Sequence, residues 1–99
     1  VPTPALDDAQ IHAALGSLAG WEYHDNLLVK SYTMPTYLSG LTFAAAIGTL
    51  AEAADHHPDL YIGYKKVRVE VGTHDAGHRV SHKDIDLATA IEALHYPKA

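Results

Sequence analysis

Glu52, His56, His57, His74 and Asp84 are the residues of this chain whose types and spacing could do chemistry. They fall into one pattern: Glu52-x-x-x-His56-His57-Pro58, then Tyr64, then Thr73-His74, then Asp84. Imidazole is the side chain whose unperturbed pKa lets it give and take protons near neutrality. Three imidazoles interleaved with carboxylates are therefore a candidate acid–base centre. Five further histidines, His12, His24, His78, His82 and His95, have no such company and read as solvated or locally hydrogen-bonded.

Each member of the pattern also has a plainer reading. On a helix Glu52 and His56, four residues apart, share a face and form an exposed ion pair, or the carboxylate holds the imidazole in one tautomer. One of the adjacent histidines before Pro58 can cap unpaired carbonyls at a helix end. A zinc set drawn from His56, His57 and His74 with Glu52 or Asp84 is a third alternative. Against it, the side chains of neighbouring residues such as His56 and His57 diverge in direction. Ser81-His82-Lys83-Asp84 has capping-box spacing, so Asp84 reads as a helix cap, as a pocket carboxylate, or as both.

The positions of these residues depend on the elements that carry them. Asp7 to Ser17 reads as a first helix, with Ile11, Leu15 and Leu18 as its apolar stripe. Trp21 to Tyr23, a polar turn at His24-Asp25-Asn26, and Leu27 to Thr33 read as a β-hairpin. Ser39 to Asp55 is the longest predicted helix, with Leu41, Ala44, Ala45, Leu50 and Ala51 as its packing face. Pro58 cannot continue it, so the helix exit is expected at His56-His57. Tyr61 to Tyr64 and Lys66 to Gly72 read as strands, the second with Val67, Val69 and Val71 on one face and Arg68 and Glu70 on the other. A last helix from Ser81 to Leu94 buries Ile85, Leu87, Ala88, Ile91 and Leu94. The order α-β-β-α-β-β-α predicts an α+β fold, a four-stranded antiparallel sheet with three helices on one face.

Length and composition narrow the function. Ninety-nine residues predict one domain over 1–99. Seven Lys and Arg against twelve Asp and Glu, with no basic run, argue against nucleic-acid binding. The absence of cysteine removes disulfides and thiolate chemistry and fits a reducing cytoplasm. No apolar run is read as long enough to span a membrane, and nothing resembles a signal peptide. Val1-Pro2-Thr3-Pro4 lacks an initiator methionine and reads as an extended arm at a processed or trimmed start.

Taken together, the spaced positions resemble the signature of the pterin-4a-carbinolamine dehydratase family. The surrounding text agrees: Ala51-Glu52-Ala53-Ala54-Asp55, Lys66-Val67, Thr73-His74-Asp75 and Asp84-Ile85-Asp86-Leu87-Ala88. The resemblance covers about residues 20 to 94, and the first helix matches only in general character. Two positions depart from the family pattern: the loop Gly77-His78-Arg79-Val80 is about one residue longer, and Leu60 stands where an aromatic residue is common.

The resemblance implies an α+β fold and dehydration of 4a-hydroxytetrahydropterins, the products of aromatic amino-acid hydroxylases, with no metal or redox cofactor. It also implies a homodimer or homotetramer and a functional link to such a hydroxylase. In animals the family additionally assists a homeodomain transcription factor as a dimerisation cofactor. By similarity His56, His57 and His74 are catalytic, with His56 and His74 as the acid–base pair and His57 in support. Glu52, Asp55, Pro58, Thr73 and Asp84 orient the histidines or bind the pterin. A different class of function, a non-catalytic binding or assembly protein on the same fold, remains open at this point. Retention of the histidine signature favours the enzyme.

Overall fold

The computed structural model describes residues 2–96. Four strands form one antiparallel sheet in the order β1-β2-β4-β3: β1 Glu22–His24, β2 Leu27–Thr33, β3 Asp59–Gly63 and β4 Lys66–Val71. Three helices, α1 Asp8–Leu15, α2 Tyr37–Ala54 and α3 His82–Glu92, share one core with its inner face. The predicted element order and fold class hold.

The alternation in β4 sets the layers. Val67, Val69 and Val71 are buried and meet Ile11, Phe43, Ile47, Leu87 and Ile91 from the helices. Arg68 and Glu70 stay on the open face, where Arg68 Nε donates to Glu70 Oε2 at 2.8 Å. Register follows: Leu28 faces Val71, Tyr32 faces Val67, and Asp59 faces Glu70. The β1–β2 turn is Asp25-Asn26, both in left-handed backbone, the two-residue hairpin geometry that suits twisted strands.

Several boundaries differ from the sequence reading. Helix α2 begins two residues early because Thr36 caps it, exchanging hydrogen bonds with Ser39. Strand β3 starts at Asp59, directly after Pro58, since pairing with Glu70 orders the chain that far. The buried face of α2 is Gly40, Phe43, Ala44, Ile47 and Ala51, while Leu41 and Ala45 are exposed. The true face follows the three-and-four spacing from Gly40, which Leu41 and Ala45 miss by one step.

The membrane reading also needs correction. By length and composition α2 is long and apolar enough to cross a bilayer, with a mean hydropathy of 1.2. Its apolarity reflects a small-residue helix laid on a sheet, with Phe43 and Ile47 in the core. Of the predicted N-terminal arm, Val1 lies outside the described residues. The rest lies along the surface, with Thr3 Oγ1 donating to Asp75 Oδ2 at 3.1 Å and Leu6 N donating to Val80 O.

At the other end of α3, Glu92 accepts from Lys30 Nζ at 3.0 Å and from the Tyr32 hydroxyl. Burial, then the neighbouring carboxylate, pushes the Tyr32 phenol well above its ordinary value. Burial would raise Glu92 too, but hydrogen bonds from Tyr32 and Lys30 and the Lys30 charge outweigh it and hold the carboxyl low.

Candidate functional site

The site is assembled where α2 ends, β4 ends and α3 begins. Helix α2 stops at Ala54, and Asp55 takes a left-handed conformation, φ 49 and ψ 45. Asp55 N donates to Glu52 O and His56 N donates to Ala51 O, the paired bonds of a Schellman termination. The helix end is therefore capped by backbone, and neither histidine serves as the cap.

This reversal redirects both imidazoles. His56 leaves the helical phase, so the expected Glu52–His56 pair does not form. His56 turns inward instead, 11% exposed, with Nε2 2.6 Å from Asp84 Oδ1. His57 turns outward, 59% exposed, and its Nε2 sits 2.8 Å from Glu52 Oε2. Pro58 then delivers the chain to β3.

Asp84 is fully buried in the first turn of α3. Its Oδ2 accepts from Ser81 N and from the Thr73 hydroxyl, each at 2.8 Å. The capping-box reading of Asp84 holds: Oδ2 closes the helix start, and Oδ1 holds His56. A carboxylate near a helix N-terminus is also favoured by the helix dipole.

Thr73, two residues past the end of β4, joins the same carboxylate, which brings the tip of α2 and the end of the valine strand together. His74 follows it in a short 3-10 turn, His74–Ala76, closed by Gly77 in left-handed backbone. The His74 ring is exposed and meets His78 edge-on, with centroids 4.5 Å apart. His78 was read as solitary. Its left-handed φ of 59 and the bond from Thr73 N to Arg79 O fold the longer loop back, so Asp84 still reaches the site.

No hydrogen bond among the described residues links His57 or His74 to His56. Among the described residues, no three His, Cys, Asp or Glu side chains group closely enough to hold a metal ion. Tyr64 is 75% exposed in the β3–β4 turn. Strand β3 separates it from Pro58 by about 20 Å of extended chain.

Two cavities bear on the choice of site. His56 lines a cleft of about 210 Å³ with Leu50, Ala54, Lys83, Asp86 and Leu87. A cavity of about 420 Å³ lies beside Lys30, Tyr32, Phe43, Glu92 and Tyr96. The larger one is not the better site. Its Lys30, Tyr32 and Glu92 groups satisfy one another, and Lys30 Nζ spends a further bond on Ala19 O.

The hydrogen bond to Glu52 raises the His57 pKa above its ordinary range, with burial opposing and the Glu52 and Asp55 charges assisting. The pair thus stabilises the protein fully below the unfolded-state pKa and loses that effect as pH rises through the folded-state value. An NMR titration is expected to give a His57 midpoint above about 6.5, lowered by Glu52→Gln. A midpoint indifferent to that substitution would remove Glu52 as the cause.

An antiparallel sheet under three helices, with a buried aspartate holding the histidine at a helix exit, defines an α+β class of protein with a histidine–carboxylate site. The sequence model of the pterin 4 alpha carbinolamine dehydratase family matches residues 4–94, including α1. A relative from Roseiflexus sp. (strain RS-1), named as an inferred pterin-4-alpha-carbinolamine dehydratase, is 43% identical over 89 residues, covering 90% of this chain and 95% of its own. The crystal structure of a transcriptional coactivator/pterin dehydratase from Brucella melitensis matches with a TM-score of 0.85 at 28% identity, covering 91% of this chain and 97% of that one. A pterin dehydratase-like protein identified as a RuBisCO assembly factor in the alpha-carboxysome shares the fold alone. Its TM-score is 0.60 at 19% identity, with 75% and 84% covered. The chain belongs to the pterin-4a-carbinolamine dehydratase family.

Proposed function

We propose that this protein is a hydro-lyase that removes water from 4a-hydroxytetrahydropterins to give the quinonoid dihydropterin. The observation that carries the reading is His56 held on buried Asp84 beside the end of β4, in a chain with the family's histidine pattern. Dehydration breaks the C4a–O bond as the departing hydroxyl is protonated to water. The proton on the adjacent ring nitrogen goes to a base, and the C=N bond forms. Protons given and taken balance, so two imidazoles suffice without an external reagent.

His56 and His74 are assigned as the acid–base pair, with His57 in support. Glu52 orients His57, and Asp84 with Thr73 orients His56. Asp55 and Pro58 shape the helix exit that separates the two histidines. The reaction needs no metal or redox cofactor, and the cysteine-free chain suits a cytoplasmic setting. The protein works as a homodimer or homotetramer linked to an aromatic amino-acid hydroxylase. Exposed Leu38 and Leu41 on α2, and Tyr61 and Ile62 on edge strand β3, offer apolar surface for that association.

The assembly-factor alternative draws on the same apolar surface and on the fold shared with the RuBisCO factor. The intact histidine pattern favours catalysis. In a stopped-flow assay, purified protein is expected to speed the decay of 4a-hydroxytetrahydropterin over its spontaneous rate. Decay no faster than in buffer would overturn the enzymatic reading in favour of the binding one.

A further inference from the structure

We infer that a one-way hydrogen-bond chain, Ser81 to Thr73 to Asp84, locks His56 in the tautomer protonated on Nε2, so that His56 exchanges protons with substrate only through Nδ1. Ser81 and Thr73 are then positioning residues. The catalytic part of this inference rests on the dehydratase reading above; the tautomer does not.

Counting protons gives the direction. The Lys83 N–H donates to Ser81 Oγ at 3.2 Å, so that oxygen is an acceptor there. Thr73 has one hydroxyl proton, and it points to Asp84 Oδ2 at 2.8 Å. The hydrogen between the two hydroxyls, 2.5 Å apart, must therefore belong to Ser81. The reverse direction would set the Thr73 lone pairs against Oδ2, with no acceptor left for the Ser81 proton.

Oδ2 thus receives two hydrogens, from Thr73 and from Ser81 N. An ionised carboxylate only accepts, so the contact at Oδ1 requires the hydrogen to sit on His56 Nε2. Nδ1 has no hydrogen-bond partner among the described residues, and the ring borders the cleft beside α3. Ser81, Thr73 and Asp84 are essentially inaccessible to water, so solvent cannot compete for these bonds. A histidine whose outer nitrogen is set by its orienting carboxylate follows the logic of catalytic triads.

The measurement is a two-bond 1H–15N NMR correlation of the imidazoles in labelled protein. The expected result is a protonated Nε2 and an unprotonated Nδ1 on neutral His56. The opposite tautomer, or rapid averaging of the two, overturns the inference. Asp84→Asn keeps the shape of the acceptor. Its amide oxygen accepts from Ser81 N and Thr73, and its NH2 is left to donate to Nε2. This variant is expected to move the His56 proton to Nδ1 and lower kcat by about 10²–10⁴-fold.

Ser81→Ala leaves Asp84 an acceptor at Oδ1, so the Nε2 proton is expected to stay. The loosened Thr73 and carboxylate are expected to reduce kcat about 3- to 10-fold with KM little changed, and Ser81→Thr restores kcat. If Ser81→Ala lowers only the melting temperature and leaves kcat unchanged, Ser81 is a helix cap and no more. Should Ser81→Ala fail to fold, Thr73→Val gives the same kcat readout. A parent protein with the Nε2 proton but no turnover would refute the proposed reaction while supporting the tautomer.

Discussion

Replacing His56 by alanine is expected to slow dehydration by about 10²–10⁴-fold, the usual contribution of a positioned acid or base. No other imidazole rests on a buried carboxylate in this site, so none can substitute for it. Removing the ring also leaves Asp84 Oδ1 without its partner, at a cost of about 1–3 kcal/mol. Stability of a domain this size is about 5–15 kcal/mol, so the variant should still fold. His74→Ala provides the control. Its ring is exposed and meets His78 edge-on, so the rate should fall with little change in melting temperature. Stopped-flow rates and thermal melts on both variants separate catalysis from folding. Rates equal to the parent in both would end the case for acid–base chemistry at this cluster.

What could be read from the sequence, and what could not, divides along physical lines. The valines of β4 were legible because a period of two has one interpretation when charges occupy the other face. Asp25-Asn26 was legible because those residues tolerate left-handed backbone. Thr36 was missed because Ser39 plays the part usually taken by Glu or Gln in a capping box. The Glu52 partnership was misjudged by one residue because a single left-handed residue, Asp55, ends the helical phase. Helical spacing was extended past the point where the helix exists. Asp is an uncommon choice at that position, where glycine is usual, so no glycine marked the turn.

The site shows the same division. The spaced signature pointed to the elements that Asp84 brings together through His56 and Thr73. It could not say which oxygen of Asp84 does what, because capping and orienting draw on the same residue. Nor could it pair His74 with His78. That contact depends on His78 adopting left-handed backbone in the lengthened loop, a conformation uncommon outside glycine, although histidine is among the residues enriched there. Leu60 occupies a half-buried position facing Val69 and packs against the core.

Phe43→Ala is expected to be the most damaging single change to the fold, costing about 3–5 kcal/mol. Phe43 is buried on α2, and its ring meets Tyr32 at 4.7 Å and Tyr96 at 4.8 Å. It therefore couples the long helix to β2 and to the chain after α3. The 420 Å³ cavity already borders this ring, so truncation enlarges an existing void that the backbone is poorly placed to close. Unfolding in urea should show the loss directly, and the melting temperature should fall by about 15–30 °C for a domain of this size. Phe43→Leu, which keeps most of the volume, should cost about 1–2 kcal/mol. Residue 43 lies about 16 Å along α2 from the exit at Ala54. Folded Phe43→Ala protein, assayed well below its melting point, should then retain the parent's dehydration rate. A melting temperature within a few degrees of the parent would show that the aromatic group around residue 43 does not anchor α2.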